Sequence, residues 1–240
     1  MKKGEVMGHE IRVNQFDAWV GEEQAKINIE EAINNSDGIS LLDVGCGKGE
    51  LTKLYGEVFD RVVGVEPLKK YVKEADRSTG VEYVQGDGET FDLDEEFDVI
   101  ILSMVIEHTN NPITILRNCK KHLAEGGIII IQTPNANSVT RRLGVEMGML
   151  DSIYHMSDRE IKECGHTRIY TMFSLIEDVM SAGLKDIKSY GILYKPLPNA
   201  MLEKLCVEQG EEWRRKFIDA LVIFGLYHPE DCANLCVICA

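Results

Sequence analysis

Three glycines and an acid crowd together near position 45. The run Asp43-Val44-Gly45-Cys46-Gly47-Lys48-Gly49-Glu50 follows a short apolar stretch, Ile39 to Val44. A glycine-rich bend between a strand and a helix lets a ligand approach the backbone and presents unpaired N–H groups to it. A P-loop is excluded, because Lys48 is followed by Gly49 instead of Ser or Thr. A dinucleotide fingerprint is excluded too, because position 50 is Glu where a third glycine is required. Asp43 and Glu50 would repel a pyrophosphate, whereas Asp43 suits a cationic ligand that carries an ammonium group. Polar groups recur after later apolar runs. Glu66-Pro67 follows Val62–Val65, Asp87-Gly88-Glu89 follows Val81–Gln85, and Ser103 follows Phe97–Leu102. Each has a plain structural alternative: the glycines permit a tight turn, Asp43 caps it, and Glu66 is a solvated charge before a proline.

The elements that must position these groups alternate in type. Residues 10–35 predict one or two amphipathic helices. Strands are predicted at 39–44, 61–65, 81–85, 97–102 and 128–132. Helices are predicted at 48–57, from Pro67 onward, and at 112–124, with Gly126-Gly127 closing the last of these. Residues 135–170 break the rhythm and read as an insertion over the ligand edge of the sheet. A helix at 173–182, a strand at 184–194, helical residues 199–226 with a break at Gln209-Gly210, and a strand at 233–239 complete the chain. Strands alternating with helices at this spacing imply right-handed crossovers and a parallel sheet. Such sheets bind ligands at the C-terminal ends of their strands, where these polar groups fall.

Taken together, the motifs resemble those of class I S-adenosylmethionine-dependent methyltransferases of the small-molecule type, and the likeness is best over residues 39–132. The pattern D-x-G-x-G-x-G at 43–49 is similar to the first motif of that family. Glu66 matches the acid that accepts hydrogen bonds from both ribose hydroxyls, and Asp87 the acid that meets the adenine amino group. FDVIIL at 97–102 resembles the fourth-strand motif. LAEGGI at 123–128 resembles the turn before the fifth strand, with Glu125 where proline is usual. The resemblance implies an α/β fold: a Rossmann-like, seven-stranded, mainly parallel sheet with helices on both faces and an antiparallel last strand. It implies a single domain over 1–240, in which residues 1–36 form an N-terminal helical lid and 135–170 a substrate-side insertion. The cofactor implied is S-adenosylmethionine, held by Asp43, Gly45, Cys46, Gly47, Gly49, Glu66, Pro67, Asp87, Gly88, Glu89 and Ser103.

Within this resemblance, the segment Ser103-Met104-Val105-Ile106-Glu107-His108 lies beside the expected methyl group. It is similar to the E-x-x-E-H segment of quinone-biosynthesis O-methyltransferases, which is associated with a divalent metal. Met104 stands where the first Glu belongs, so no metal is expected here. His108 is the first candidate base, and Glu107 is its partner or a local cap. Gly165-His166-Thr167-Arg168-Ile169-Tyr170 resembles a stretch found after the lid of sugar- and lipid-modifying members. His166 is a second candidate base. Arg168 either binds an acidic acceptor or latches the backbone. His155 in the insertion is a third candidate. Arg141-Arg142 reads as a solvated face, and Phe16 and Trp19 as core.

Composition narrows the partners. Lys plus Arg is 26 and Asp plus Glu is 40, giving a net charge of −14. Such a surface argues against nucleic acid and anionic membranes and favours a small-molecule acceptor. No apolar run approaches the length of a membrane span. Residues 4–12 lack the apolar core of a signal peptide. An odd count of seven cysteines fits reduced thiols and a cytoplasmic setting. Cys232, Cys236 and Cys239 have the spacing of an iron–sulfur motif, but a strand would point Cys236 and Cys239 to opposite faces. The expected activity is methyl transfer to oxygen of a small molecule. Transfer to nitrogen or carbon, to tRNA or protein, and a cofactor-binding regulator are the alternatives.

Overall fold

The computed structural model describes residues 15–36 and 39–240. Seven strands form one sheet: β1 (Ser40–Val44), β2 (Arg61–Glu66), β3 (Glu82–Gln85), β4 (Phe97–Ser103), β5 (Leu123–Pro134), β6 (Asp186–Ile192) and β7 (Asn234–Cys239). Their order is β3-β2-β1-β4-β5-β7-β6. The first five pair in parallel, and β7 runs antiparallel to both β5 and β6. The expected fold class is therefore the observed one.

Alternation along the strands divides the core in two. Leu41, Val62, Val99, Ile101, Ile130, Cys236 and Ile238 face a layer that contains α1 (Gln15–Asn35), α8 (Asn199–Gln209) and α9 (Glu211–Tyr227). Leu42, Val63, Ile100, Leu102, Ile131, Val237 and Cys239 face α4 (Pro112–Lys121) and α7 (Met172–Ser181). Strands buried on both faces have to be apolar throughout, which is why these runs do not alternate in polarity. Cys236 and Cys239 fall in opposite layers, and all seven cysteines are free. The tail is a strand.

Several boundaries depart from expectation. The helix expected at 48–57 is short: α2 covers only Thr52–Gly56, because Gly47 and Gly49 take positive φ and hold 46–51 as a turn. Pro67 does not open a helix. α3 is Lys69–Glu74, with Leu68 in extended conformation before it. α4 starts with Pro112 in its first turn and Asn111 as its cap, whose side chain accepts from Thr114 N–H. That helix stops at Lys121, and Gly126-Gly127 lie inside β5, where the register shifts between Phe97 and Val99. The break at Gly210 between α8 and α9 falls where expected, at φ 86°.

The segment 135–170, expected as an insertion, is closed at its root by a bridge between Asn135 and Tyr170. It carries α5 (Val139–Glu146) and α6 (Asp158–Lys162), the latter held by a reciprocal Ser157–Glu160 capping box. Arg141 is not a solvated residue. Its guanidinium bonds the carbonyls of Ile153 and His155 and pairs with Glu160, which ties the insertion together. Arg142 pairs with Asp231.

Helix α1 buries a stripe that is partly polar, including Gln24, Asn28 and Glu31. Asn28 and Glu31 explain its docking. Asn28 donates to Tyr55 OH at 3.0 Å, and Glu31 accepts from Lys188 Nζ at 2.6 Å and Tyr190 OH at 2.7 Å. Phe16 is fully buried, and Trp19 lies under the Arg214 guanidinium at 4.2 Å. Of the expected lid over 1–36, residues 1–14 and His9 lie outside the described residues.

Candidate active site

The ends of β1, β2 and β3 are bonded to one another in sequence. Gly45 and Cys46 N–H both donate to the Val65 carbonyl, at 2.7 and 3.2 Å, and Gly86 N–H donates to the Glu66 carbonyl at 3.1 Å. Asp43 and Glu66 stand at these linked tips, and Asp87 lies just beyond Gln85, the residue paired with Glu66. Only glycine serves at two positions of the first bend. A Cβ on Gly45, at φ 78°, would lie 2.5 Å from Val105 Cγ2, and one on Gly49, at φ 76°, would lie 2.2 Å from Tyr83 OH. The first contact sets the loop after β4 directly against the glycine bend.

Asp43 is 6% exposed and accepts from Thr52 Oγ1 at 2.6 Å. Burial pushes its carboxyl up to about 6, against the Thr52 bond, and the nearby Glu66 charge adds to the rise. Glu66, 5% exposed, clamps both sides of the site: Oε2 accepts from Gly47 N–H at 3.1 Å and Oε1 from Leu68 N–H at 3.0 Å. Burial raises its carboxyl above the ordinary carboxylate value despite those two donors. Two buried acids with no Lys or Arg partner among the described residues suit a cationic ligand.

The remaining expected cofactor residues have visible local duties. Asp87 is exposed and caps its own turn by accepting from Glu89 N–H at 2.8 Å. Glu89 Oε1 accepts from Asn110 and Asn111 N–H, both at 2.9 Å, and so fixes the loop before α4. Gly88 leaves room for Ile115, 2.5 Å from where its Cβ would sit. Cys46 is half-buried, and burial holds its thiol well above the usual value. Pro67 carries the carbonyl that Gln85 Nε2 reaches at 3.3 Å. Ser103 Oγ donates to Gln132 Oε1 at 3.2 Å.

Beyond Ser103, the chain turns at Met104, φ 56°, and delivers Glu107 and His108. Thr167 staples a second segment to it. Its N–H and hydroxyl both donate to the Glu107 carbonyl, at 2.9 and 3.0 Å, and the hydroxyl reaches Thr109 O at 3.0 Å. Arg168 extends the staple through the Thr109 and Asn110 carbonyls at 2.9 and 3.1 Å, so it acts as a latch. The staple brings His166 beside His108, with ring centroids 4.8 Å apart and planes at 78°. Glu107 Oε1 lies 3.9 Å from His108 Nε2, while Oε2 accepts from Thr133 Oγ1 at 3.0 Å. One ligand-type atom from each of Glu107, His108 and His166 falls within 4.8 Å of the others.

Burial favours the uncharged form of all three groups. It pushes Glu107 up to about 7, against hydrogen bonds from the backbone and Thr133. It lowers His108, against a backbone bond to Gly165, and lowers His166 to about 4 with help from the His108 charge. Uncharged imidazoles can take a proton or ligate a metal. His155 does not join the cluster. Its ring bonds the exposed Asp151 at 3.2 Å, and its carbonyl serves Arg141. His122 is a core residue, accepting from Leu93 N–H at 3.0 Å. His228 packs against Phe224.

A buried polar chain underlies the site and was not foreseen. Tyr55 OH accepts from Asn28, Asn28 Oδ1 accepts from Gln132 Nε2 at 2.6 Å, and Gln132 Oε1 accepts from Ser103. The available signal was Gln132-Thr133, two polar residues ending a run of four isoleucines. Thr52 and Thr167 gave no signal of their own.

Known proteins share this frame. The ubiquinone biosynthesis O-methyltransferase of Idiomarina loihiensis is 26% identical over 212 residues, covering 82% of this chain and 79% of that protein. The human mitochondrial protein of the same name is 31% identical over 118 residues, covering 45% of this chain and 32% of its own length. Against the rat and Leptothrix cholodnii relatives the match likewise spans only 34% and 50% of their lengths. Among solved structures, the [4+2]-cyclase SpnF superposes with a TM-score of 0.64 at 17% identity, over 98% of this chain and 87% of that one. A methyltransferase of Thermotoga maritima, titled a possible histamine N-methyltransferase, gives 0.62 at 18% identity over 95% of both chains. These likenesses show the fold, and a cyclase among them shows that the fold alone does not fix the reaction. A family model described as a methyltransferase domain matches residues 20–189. With well over half of its length matched, the chain belongs to that methyltransferase-domain family.

Proposed function

We propose that the chain transfers a methyl group from S-adenosylmethionine to an oxygen of a small-molecule acceptor. The observation that carries this reading is the pair of buried carboxyls, Asp43 and Glu66, with no cationic side-chain partner among the described residues and joined through Gly47 and Thr52 to the glycine bend. A ligand with a positive sulfonium and an ammonium group relieves both. The cofactor supplies the chemistry of transfer, and the protein aligns, dries and deprotonates. Glu107 and His108, on the loop that packs on Gly45 through Val105, handle the acceptor proton together with His166, which the Thr167 staple brings from a second segment. A positioned acid–base group adds typically ~10²–10⁴-fold. Relatives named for ubiquinone biosynthesis favour a hydroxyl-bearing acceptor. The net charge of −14 weighs against tRNA. Helix α1 is the lid and residues 135–170 the acceptor-side cover. Seven free thiols fit a cytoplasmic setting. No helix among the described residues is long and apolar enough to cross a membrane.

The test is release of S-adenosylhomocysteine over a panel of phenols, sugars and hydroxylated lipids, with bulk tRNA as a control. Turnover of at least one hydroxyl acceptor is expected. Cofactor binding with no acceptor turned over favours the regulator, and turnover of tRNA alone overturns the small-molecule assignment.

A further inference from the structure

We propose that Glu107, His108 and His166 bind a divalent transition-metal ion as a set of two histidines and one carboxylate. Three observations converge. The candidate ligand atoms lie within 4.8 Å of one another. Glu107 is 1% exposed, and among the described residues its one ion-pair partner is His108. A carboxyl that deeply buried, with neither Lys nor Arg beside it among the described residues, has no fixed counter-charge for its ionised form. Finally, the Glu107 carboxyl is braced from behind as metal ligands are, and the backbone that carries His166 is held in place. Thr133 takes Glu107 Oε2 and leaves Oε1 toward His108, and His166 N–H is fixed on the Glu160 carbonyl at 2.8 Å. Thr167 locks the two ligand-bearing segments together through the Glu107 carbonyl.

The donor set decides the metal. The resembled E-x-x-E-H pattern would offer two carboxylates and one imidazole, but Met104 removes the first carboxylate and His166, from a distant segment, supplies a nitrogen instead. Two nitrogens and one oxygen suit manganese, iron, cobalt or zinc, whereas magnesium wants an oxygen-rich shell. Adjacent ligands around an ion held at ~2.1 Å stand ~3 Å apart, so binding draws the three side chains inward. His108 keeps 26% of its side chain exposed, which leaves a side of the site open to water or an acceptor hydroxyl. An ion there would polarise that hydroxyl. This last role rests on the methyl-transfer reading, but the binding does not.

The experiment uses the full chain, stripped with chelator, and cobalt(II) chloride as the probe, read by visible absorption. One cobalt per chain with an intense ligand-field band is expected. Zinc should displace it, and magnesium in tenfold excess should not. Glu107→Gln and His166→Ala should each weaken cobalt binding at least tenfold while circular dichroism and cofactor heat are unchanged. His155→Ala should leave the band intact, excluding a stray surface histidine. Absence of the band, a band that survives both Glu107→Gln and His166→Ala, or equal competition by magnesium overturns the inference. A wild-type chain that gives cofactor heat but no cobalt band loses this site alone, and a wild-type chain that gives the band but no cofactor heat loses the methyl-donor reading alone.

Discussion

Thr167 donates twice to the Glu107 carbonyl, once from its backbone at 2.9 Å and once from its hydroxyl at 3.0 Å, and so brings two separate segments into one cluster. Replacing Thr167 by Val keeps the shape and the N–H bond but removes the hydroxyl, whose one proton the Glu107 and Thr109 carbonyls share. At ~1 kcal/mol for the lost donor, the variant should lose ~1 kcal/mol of stability. Turnover should fall at least fivefold, and cofactor affinity should stay near wild type. Thermal denaturation with steady-state kinetics checks this, and unchanged turnover would show that the staple does not position the histidines.

Asp43 sets a pH dependence of cofactor binding. Its carboxyl titrates near 6 in the ligand-free protein because it is buried. A cationic cofactor favours the ionised form, so affinity should be level above pH 6 and fall as pH drops below it, by at most tenfold per unit. The sign for stability is opposite. A carboxyl raised from 3.8 to about 6 binds its proton more tightly when folded, so stability declines as pH rises through that window. Asp43→Asn should therefore flatten the affinity profile, weaken binding at pH 7 and raise the melting temperature there.

Gly45 is under two constraints that can be separated. Gly45→Ala meets Val105 Cγ2 at 2.5 Å and must also hold φ 78°. Cofactor affinity should fall more than tenfold. Adding Val105→Ala removes the collision but not the backbone strain of ~1–2 kcal/mol, so recovery should be partial. Full recovery in calorimetry would mean that the left-handed turn costs nothing here.

Gln132 bridges Ser103 and Asn28 in the buried polar chain. Gln132→Leu strands both partners and should cost ~2–4 kcal/mol. The double variant with Asn28→Leu should lose less than the sum of the singles, since it removes a group the first change left unpaired. Additive losses in chemical denaturation would contradict the bridge.

How far these features could be read from the sequence follows from their range. The sheet was legible because runs such as Phe97–Leu102 are apolar throughout and end in polar groups. The acids Asp43 and Glu66 were legible because a β-strand followed by a tight bend puts its next polar residue at the ligand edge. Long-range juxtaposition was not. Nothing in the spacing brings His166 to His108, since Thr167 and Arg168 make that contact through backbone carbonyls of residues 107, 109 and 110. Arg141 looked solvated because a basic doublet usually is, whereas its guanidinium meets carbonyls from a turn 12 residues away. Helix limits failed at Lys48 and Pro67 for a local reason: positive-φ glycines on either side of Lys48, and an extended Leu68, delay the first helical turn.

Isothermal calorimetry of S-adenosylmethionine against the wild-type chain and Asp43→Asn tests the central claim most directly. The account predicts one site per wild-type chain and binding weakened at least tenfold in the variant at pH 7.5. A folded wild-type chain that gives no heat at millimolar cofactor, or a variant that binds as tightly as wild type, would contradict it.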